Sequence, residues 1–273
     1  MTDPENHRPE PALRPTRRSL RFATLRTILA MILREMSTTY GRTPGGYAWV
    51  VLEPVLGIAL LSALFSLGFR SPPLGINFPV FYATGLLPFF MFNDISAKMA
   101  QSVNFSRALL SYPRVTYIDA LIARLILSVL TQLLVSFIVL ASIRLIWETR
   151  TFFQAGPVLL GYLMVIALGI GVGTMNCFLV TMFPIWQRIW SIITRPLLFI
   201  SGVIILYESI PEAYSAFFWL NPLLHAISKV RSGFYPSYDA PWVSPAYVFA
   251  VSLILTVLGL VFLHRYHRDM LER

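Results

Sequence analysis

The chain has 273 residues, of which 56% are hydrophobic and only 13% charged, with a formal net charge of +9 and a mean hydropathy of +0.66. A soluble domain carries about 25% charge, so this composition excludes an ordinary soluble protein and points to an integral membrane protein. The excess positive charge marks no nucleic-acid face, because the cations sit between apolar runs, where membrane topology places them.

Residues 1–20 contain Pro4, Pro9, Pro11 and Pro15 among His7, Arg8, Arg14, Arg17 and Arg18. This reads as a disordered, basic cytoplasmic arm that either touches anionic lipid or is simply solvated. It has no apolar core of the kind a signal peptide needs, so the N-terminus is expected in the cytoplasm. Over residues 21–43 the pattern changes. Phe22, Leu25, Leu29, Ile32 and Met36 recur at spacings that place them on one helical face. Arg21, Arg26, Arg34 and Glu35 interrupt the run, which is too short to cross a core of roughly 30 Å. An amphipathic helix in the cytoplasmic interface is expected. Pro44 and Gly45-Gly46 then break the chain before Tyr47 and Trp49, whose rings suit a membrane boundary.

Six runs meet the need for roughly 20 apolar residues. They fall near 47–69, 78–97, 118–143, 158–183, 189–206 and 244–263. With the N-terminus inside, 17 of the 22 lysine and arginine residues fall in cytoplasmic segments, which places both termini in the cytoplasm. Two connections are too patterned for bare loops. Residues 98–117 are cytoplasmic and amphipathic. Residues 207–243, on the far side, carry Phe217-Phe218-Trp219-Leu220 and Leu223-Leu224-His225-Ala226-Ile227, split by Asn221-Pro222. These pieces are too short to span and too apolar for water, so re-entrant or interfacial half-helices are expected. Thus the expected fold is an all-α integral membrane protein: six transmembrane helices, an N-terminal interfacial amphipathic helix and a re-entrant periplasmic segment before the last helix. Three units follow, an arm over 1–20, an interfacial helix over 21–43 and a six-helix domain over 44–273.

Phosphate-cradling loops place Lys after Gly and before Ser or Thr, and neither Lys98 nor Lys229 follows a glycine. The chain is therefore not an ordinary ATPase. Cys177 is the one cysteine, which excludes an internal disulfide and a thiolate zinc site. His264 and His267 are read as a snorkelling helix end rather than a metal site. Gly169 and Gly173 lie mid-span and read as a close helix contact.

Polar groups within spans carry functional weight. Glu53, Asp94, Asp119 and Arg124 are read either as pairing and snorkelling groups or as parts of a pathway or gate, with Glu53 the foremost gate candidate. Glu53, Asp94 and Asp119 fall on different spans, and nothing in the sequence brings them together as an acid–base set. Aromatic residues cluster at Tyr47 and Trp49, from Phe78 to Phe92, and at Phe217, Phe218 and Trp219. Some form interface belts, while others suit a sliding sugar chain, because flat rings stack on sugar C–H faces. On the far side, Lys229 and Arg231 are compatible with an anionic polymer.

Four passages carry a resemblance over most of the chain. They are residues 33–54; Ile76–Phe81 with Gly85–Phe92; Ala108–Tyr112 with Ile118–Arg124; and Ser209-Ile210-Pro211 with Trp219–His225. The chain resembles the membrane permease subunit of bacterial capsular polysaccharide ABC exporters, of the ABC-2 type. The resemblance implies a transmembrane subunit that works as a homodimer in the bacterial inner membrane and moves a lipid-linked polysaccharide outward. It implies no cofactor on this chain; ATP and Mg are bound by a separate ATPase subunit. A periplasmic co-polymerase and an outer-membrane exporter are further partners it allows. Tyr47, Trp49, Glu53, Phe217, Phe218 and Trp219 are then expected at the channel or its gate. Arg34 and Arg42 are expected at lipid headgroups, and Arg107, Tyr112 and Arg114 at the ATPase. One departure is visible: Ser37-Thr38-Thr39 precede Tyr40 where the family usually has a basic residue. The same fold also serves O-antigen, teichoic acid or small hydrophobic cargo. A membrane-embedded transferase or a scaffold for polymer synthesis is a rival of another class.

Overall fold

A computed structural model of the chain describes residues 23–39, 45–46, 48–110, 115–149 and 151–272. Ten α-helices occur among them: α1 Ala23–Thr39, α2 Ala48–Gly68, α3 Phe78–Ala100, α4 Ser102–Leu110, α5 Tyr117–Ile146, α6 Ala155–Met182, α7 Ile185–Ile200, α8 Glu212–Trp219, α9 Pro222–Ser232 and α10 Pro245–Glu272. No strand occurs among the described residues. The arm expected over residues 1–20 lies outside them.

Helices α3 and α6 form the centre. α6 packs on α3, α9 and α10, and α3 is enclosed by α2, α5, α6 and α9. Small residues make the α3–α6 approach possible. A Cβ on Gly169 would stand 2.8 Å from Ile95 Cγ2, and one on Gly173 would stand 2.7 Å from Met99 Cβ. The pair expected from sequence as a close contact is one, and its partner is α3.

Among the described residues, four helices are long and apolar enough to cross a bilayer: Ala48–Gly68, Tyr117–Ile146, Ala155–Met182 and Pro245–Tyr266. They match four of the six expected runs. The other two differ from expectation. At about 1.5 Å per residue α3 rises about 35 Å, but Pro79, Pro88, Asn93 and Asp94 lower its hydropathy, and its neighbours hide it from lipid. Helix α7 has 16 residues and buries none of them. The run expected to continue to residue 206 stops at Ile200, where Gly202 adopts φ +77° and turns the chain.

That turn is held from a distance. Arg231, at the end of α9, is fully buried. Its Nη2 donates to the Val203 carbonyl at 2.8 Å and its Nη1 to the Gly202 carbonyl. Its guanidinium lies 4.2 Å from the centre of the Phe81 ring. Arg231 therefore presents no charge to a polymer, and the expectation that it would is corrected. The reason is local: the turn leaves two carbonyls without helical partners, and a guanidinium satisfies both.

The expected break at Asn221-Pro222 is present between α8 and α9. The Asn221 side chain accepts a hydrogen bond from Leu223 N at 3.1 Å and caps α9, with Pro222 at its first position.

Helix α1 shows which of its faces meets protein. Ile28 and Met31 pack on Ala120 and Ala123 of α5, whereas Leu25, Leu29, Leu33 and Met36 are exposed. The sequence stripe is thus largely the face that touches no protein.

Candidate functional site

Helix α2 begins after the Gly45-Gly46 turn, where Ala48 N donates to the Gly45 carbonyl at 2.7 Å and Gly45 has φ +88°. Trp49 stands on its first turn with 56% of its surface exposed. One turn later comes Pro54, buried inside the helix. Proline has no N–H, so the Val50 carbonyl loses its usual partner. Val50, Glu53 and Pro54 together form one wall of a cavity of about 390 Å³ between α2, α3 and α5. The facing walls carry Phe90, Asn93, Asp94 and Gln132.

The polar groups of this cavity are unequally satisfied. Asp94 pairs with Lys98 one turn along α3, at 3.0 Å, and accepts a hydrogen bond from Ser128 of α5. Glu53 is exposed to the cavity and has no hydrogen bond or salt bridge among the described residues. The Asn93 and Gln132 amides likewise make no hydrogen bond there, although Gln132 is only 8% exposed. Glu53 and Asp94, which the sequence left apart, face one space. Asp119 does not join them. It is the third residue of α5, and its carboxylate accepts from Thr116 N at 3.0 Å in a capping box.

A second polar cluster lies beside α1. Arg124 Nε stands 3.2 Å from Glu35 Oε1. Arg124 Nη1 donates to the Lys98 carbonyl at 2.7 Å, and its guanidinium stacks 4.2 Å from the centre of the Phe105 ring on α4. Burial pushes the Glu35 carboxyl up from its ordinary value, and Arg124 pulls it back. One arginine thus ties α1, α3, α4 and α5. Of the two readings open for Arg124, pairing or pathway, the structure shows a pairing, and its partner is Glu35 of α1.

The expected site residues divide accordingly. Trp49 and Glu53 share the cavity, while Tyr47 and Arg42 lie outside the described residues, as do Tyr112 and Arg114. Arg34 sits 5.6 Å from the Phe105 ring centre. Arg107 is exposed on α4. Phe217 is 65% exposed on α8, and Phe218 meets it edge-on at 6.1 Å. Trp219 is tied down: its Nε1 donates to the Trp242 carbonyl at 3.2 Å, and its ring stacks on Tyr247 at 5.0 Å. His225, buried beneath it, makes a 2.8 Å contact from Nε2 to the Trp219 carbonyl and accepts from Ser244 N at Nδ1. That pattern fixes the neutral Nε2–H tautomer. The α8 aromatics therefore do not join the α2 cavity; they belong to a separate group with α9 and the start of α10.

Sequence reading passed over Asn93, Phe105 and Gln132. Gln132 had a signal: it is a lone amide in the apolar run 118–143. Phe105 had none, because its importance comes from the two arginines brought to it by folding.

Known proteins resemble the chain in sequence. Residues 26–235 match the ABC-2 type transporter family. The polysialic acid transport protein KpsM of Escherichia coli is 31% identical over 237 residues, covering 86% of this chain and 91% of that protein. The capsule polysaccharide export inner-membrane protein CtrC of Neisseria meningitidis serogroup A is 24% identical over 246 residues, covering 90% and 92%. A protein with the same description, BexB of Haemophilus influenzae, is 23% identical over 246 residues with the same coverage. With a family match across most of its length and near-full-length relatives, the chain belongs to the ABC-2 type transporters.

Proposed function

We propose that the chain is the transmembrane subunit of an ABC exporter that carries lipid-linked capsular polysaccharide across the bacterial inner membrane. What carries this reading is the end-to-end similarity to three relatives named for polysialic acid transport or capsule polysaccharide export. It is supported by the absence of a phosphate-binding loop from the sequence, which assigns ATP and Mg to a separate ATPase subunit. Two copies of the chain form the pore. Each contributes six spans, α3 and α7 joining the four apolar helices, with both termini cytoplasmic as the positive-inside distribution requires.

In this reading residues 21–43 are an interfacial unit and 44–273 the transport domain. The exposed apolar stripe of α1 rests in the cytoplasmic leaflet, with Arg34 and Arg42 near headgroups. Helix α4 and the segment after it, with Arg107, Tyr112 and Arg114, receive the ATPase. Helices α8 and α9 form a re-entrant pair on the periplasmic side, where Phe217 and Phe218 face the leaving polymer. A periplasmic co-polymerase and an outer-membrane exporter complete the route.

Deletion of the gene tests the reading. Polymer should accumulate inside the cell, and a normal surface capsule in the deletion strain would reject it. Restoration of O-antigen or another cargo, but not capsule, by the wild-type gene would keep the fold and change the cargo.

A further inference from the structure

The cavity between α2, α3 and α5 combines features that the transport reading alone does not require. It holds about 390 Å³, within the roughly 300–1,000 Å³ of small-molecule sites. Its amides, Asn93 and Gln132, are unpaired among the described residues, and Gln132 is only 8% exposed. Both amides open onto the cavity rather than into packed protein, so a ligand bearing donors and acceptors can take the place of the water they would otherwise hold. Glu53 adds an unpaired acceptor, and Trp49 adds an indole at the edge.

The charge of the cavity narrows the ligand. Glu53 and Asp94 both line it, and Lys98 neutralises only Asp94, at 3.0 Å. An anionic group there meets the Glu53 carboxylate, which pairs with no cation among the described residues, and is repelled by it. A bare cation would satisfy Glu53 but would leave the amide N–H groups of Asn93 and Gln132 unused and most of the volume empty. Hydroxyls satisfy all of them, donating to the carboxylates and both donating to and accepting from the amides. A flat apolar ring face against Trp49 completes the match.

We infer that this cavity is a subsite for an uncharged, hydroxyl-rich sugar unit, held by Glu53, Asp94, Asn93 and Gln132. The inference rests on the polysaccharide-transport reading and adds a selectivity to it: at this point on the cytoplasmic half of the fold the chain takes a neutral sugar and turns away an acidic one. It also separates this chain from a relative named for polysialic acid, a polyanion. With Arg231 buried against backbone carbonyls, the far-side charge that would have spoken for an anionic polymer is reduced.

The test uses the full-length chain in lipid nanodiscs prepared without maltoside detergent. Saturation-transfer NMR is recorded with maltotriose and chitotriose as neutral probes and with a trimer of N-acetylneuraminic acid as the acidic one. At least one neutral trisaccharide should bind, and the acidic trimer should bind at least about fivefold more weakly. Gln132→Met and Asn93→Leu should each weaken neutral binding by roughly fivefold, the loss of about one hydrogen bond. Neither amide has a hydrogen-bond partner among the described residues, so both substitutions should leave thermal unfolding intact. Glu53→Lys, at an exposed position, should shift preference toward the acidic trimer. Equal binding of the two classes, no binding of either neutral probe, or indifference to all three substitutions overturns the subsite. A deletion strain with a normal capsule overturns the transport reading instead, and leaves the binding results standing on their own.

Discussion

Arg124 and Glu35 meet at 3.2 Å with both side chains more than nine-tenths buried. They come from α5 and α1, 89 positions apart in sequence, so the contact fastens α1 to α5. Removing one partner from a buried pair leaves the other charge uncompensated, at a cost of about 3–5 kcal/mol. Glu35→Ala should therefore lower the unfolding midpoint sharply. A Glu35→Leu/Arg124→Leu double substitution should recover part of that loss, measured by thermal unfolding in nanodiscs. Recovery stays partial because Arg124 also serves the Lys98 carbonyl.

Arg231 offers a test of geometry rather than charge. Its two donors serve two successive carbonyls, Gly202 and Val203. Arg231→Lys keeps the charge but loses the planar fork. It should destabilise almost as much as Arg231→Met, at a cost of several kcal/mol for the unsatisfied groups. Protease sensitivity in the region of residues 201–206 reads the loosened turn directly.

Gly173→Leu should disrupt the contact of α6 with α3. Even a Cβ would stand 2.7 Å from Met99 Cβ and 3.2 Å from the Ser96 backbone, and overpacking of this kind costs about 1–3 kcal/mol or more. Gly156→Leu, on the same helix with nothing within 4 Å of its Cβ position, is the control and should keep wild-type expression and unfolding.

Trp49→Ala and Trp219→Ala should part company. Trp49 is 56% exposed on the cavity rim, so its loss should reduce export while leaving stability within about 1 kcal/mol of wild type. Trp219 loses a hydrogen bond to the Trp242 carbonyl and a stack on Tyr247. Its replacement should lower stability by about 2–4 kcal/mol and export with it. Surface polymer and unfolding measured on the same two strains decide.

Arg107→Glu reverses a charge on exposed α4. It should reduce co-purification of the ATPase subunit without changing the amount of membrane protein, and unchanged recovery of the ATPase would remove α4 from that interface.

The elements that were legible in sequence are those whose cause is local. Asn221-Pro222 announced the start of α9 because asparagine caps and proline begins a helix. Gly169 and Gly173 announced a close contact, though not its partner. The end of α7 was hidden, because Ile204-Ile205-Leu206 prolong the apolar run while the turn depends on the backbone angle of Gly202. The burial of Arg231 was hidden for a related reason: its partners are carbonyls, which every residue has. At the site, Glu53 stood out as a carboxylate in an apolar run. Its companions Asn93, Asp94 and Gln132 came from two other helices, whose rotation about their own axes no single-span pattern fixes.

The grip of Arg231 on residues 202 and 203 also constrains the order of assembly. A guanidinium without a carboxylate cannot settle in an apolar interior until its carbonyl acceptors are already there. The 27 residues between Val203 and Arg231 hold the rest of the turn, α8 and most of α9. These must therefore settle together. That stretch finds its place as a closed clasp rather than a string of separate helices, and α10, later in the chain, follows once the clasp has shut.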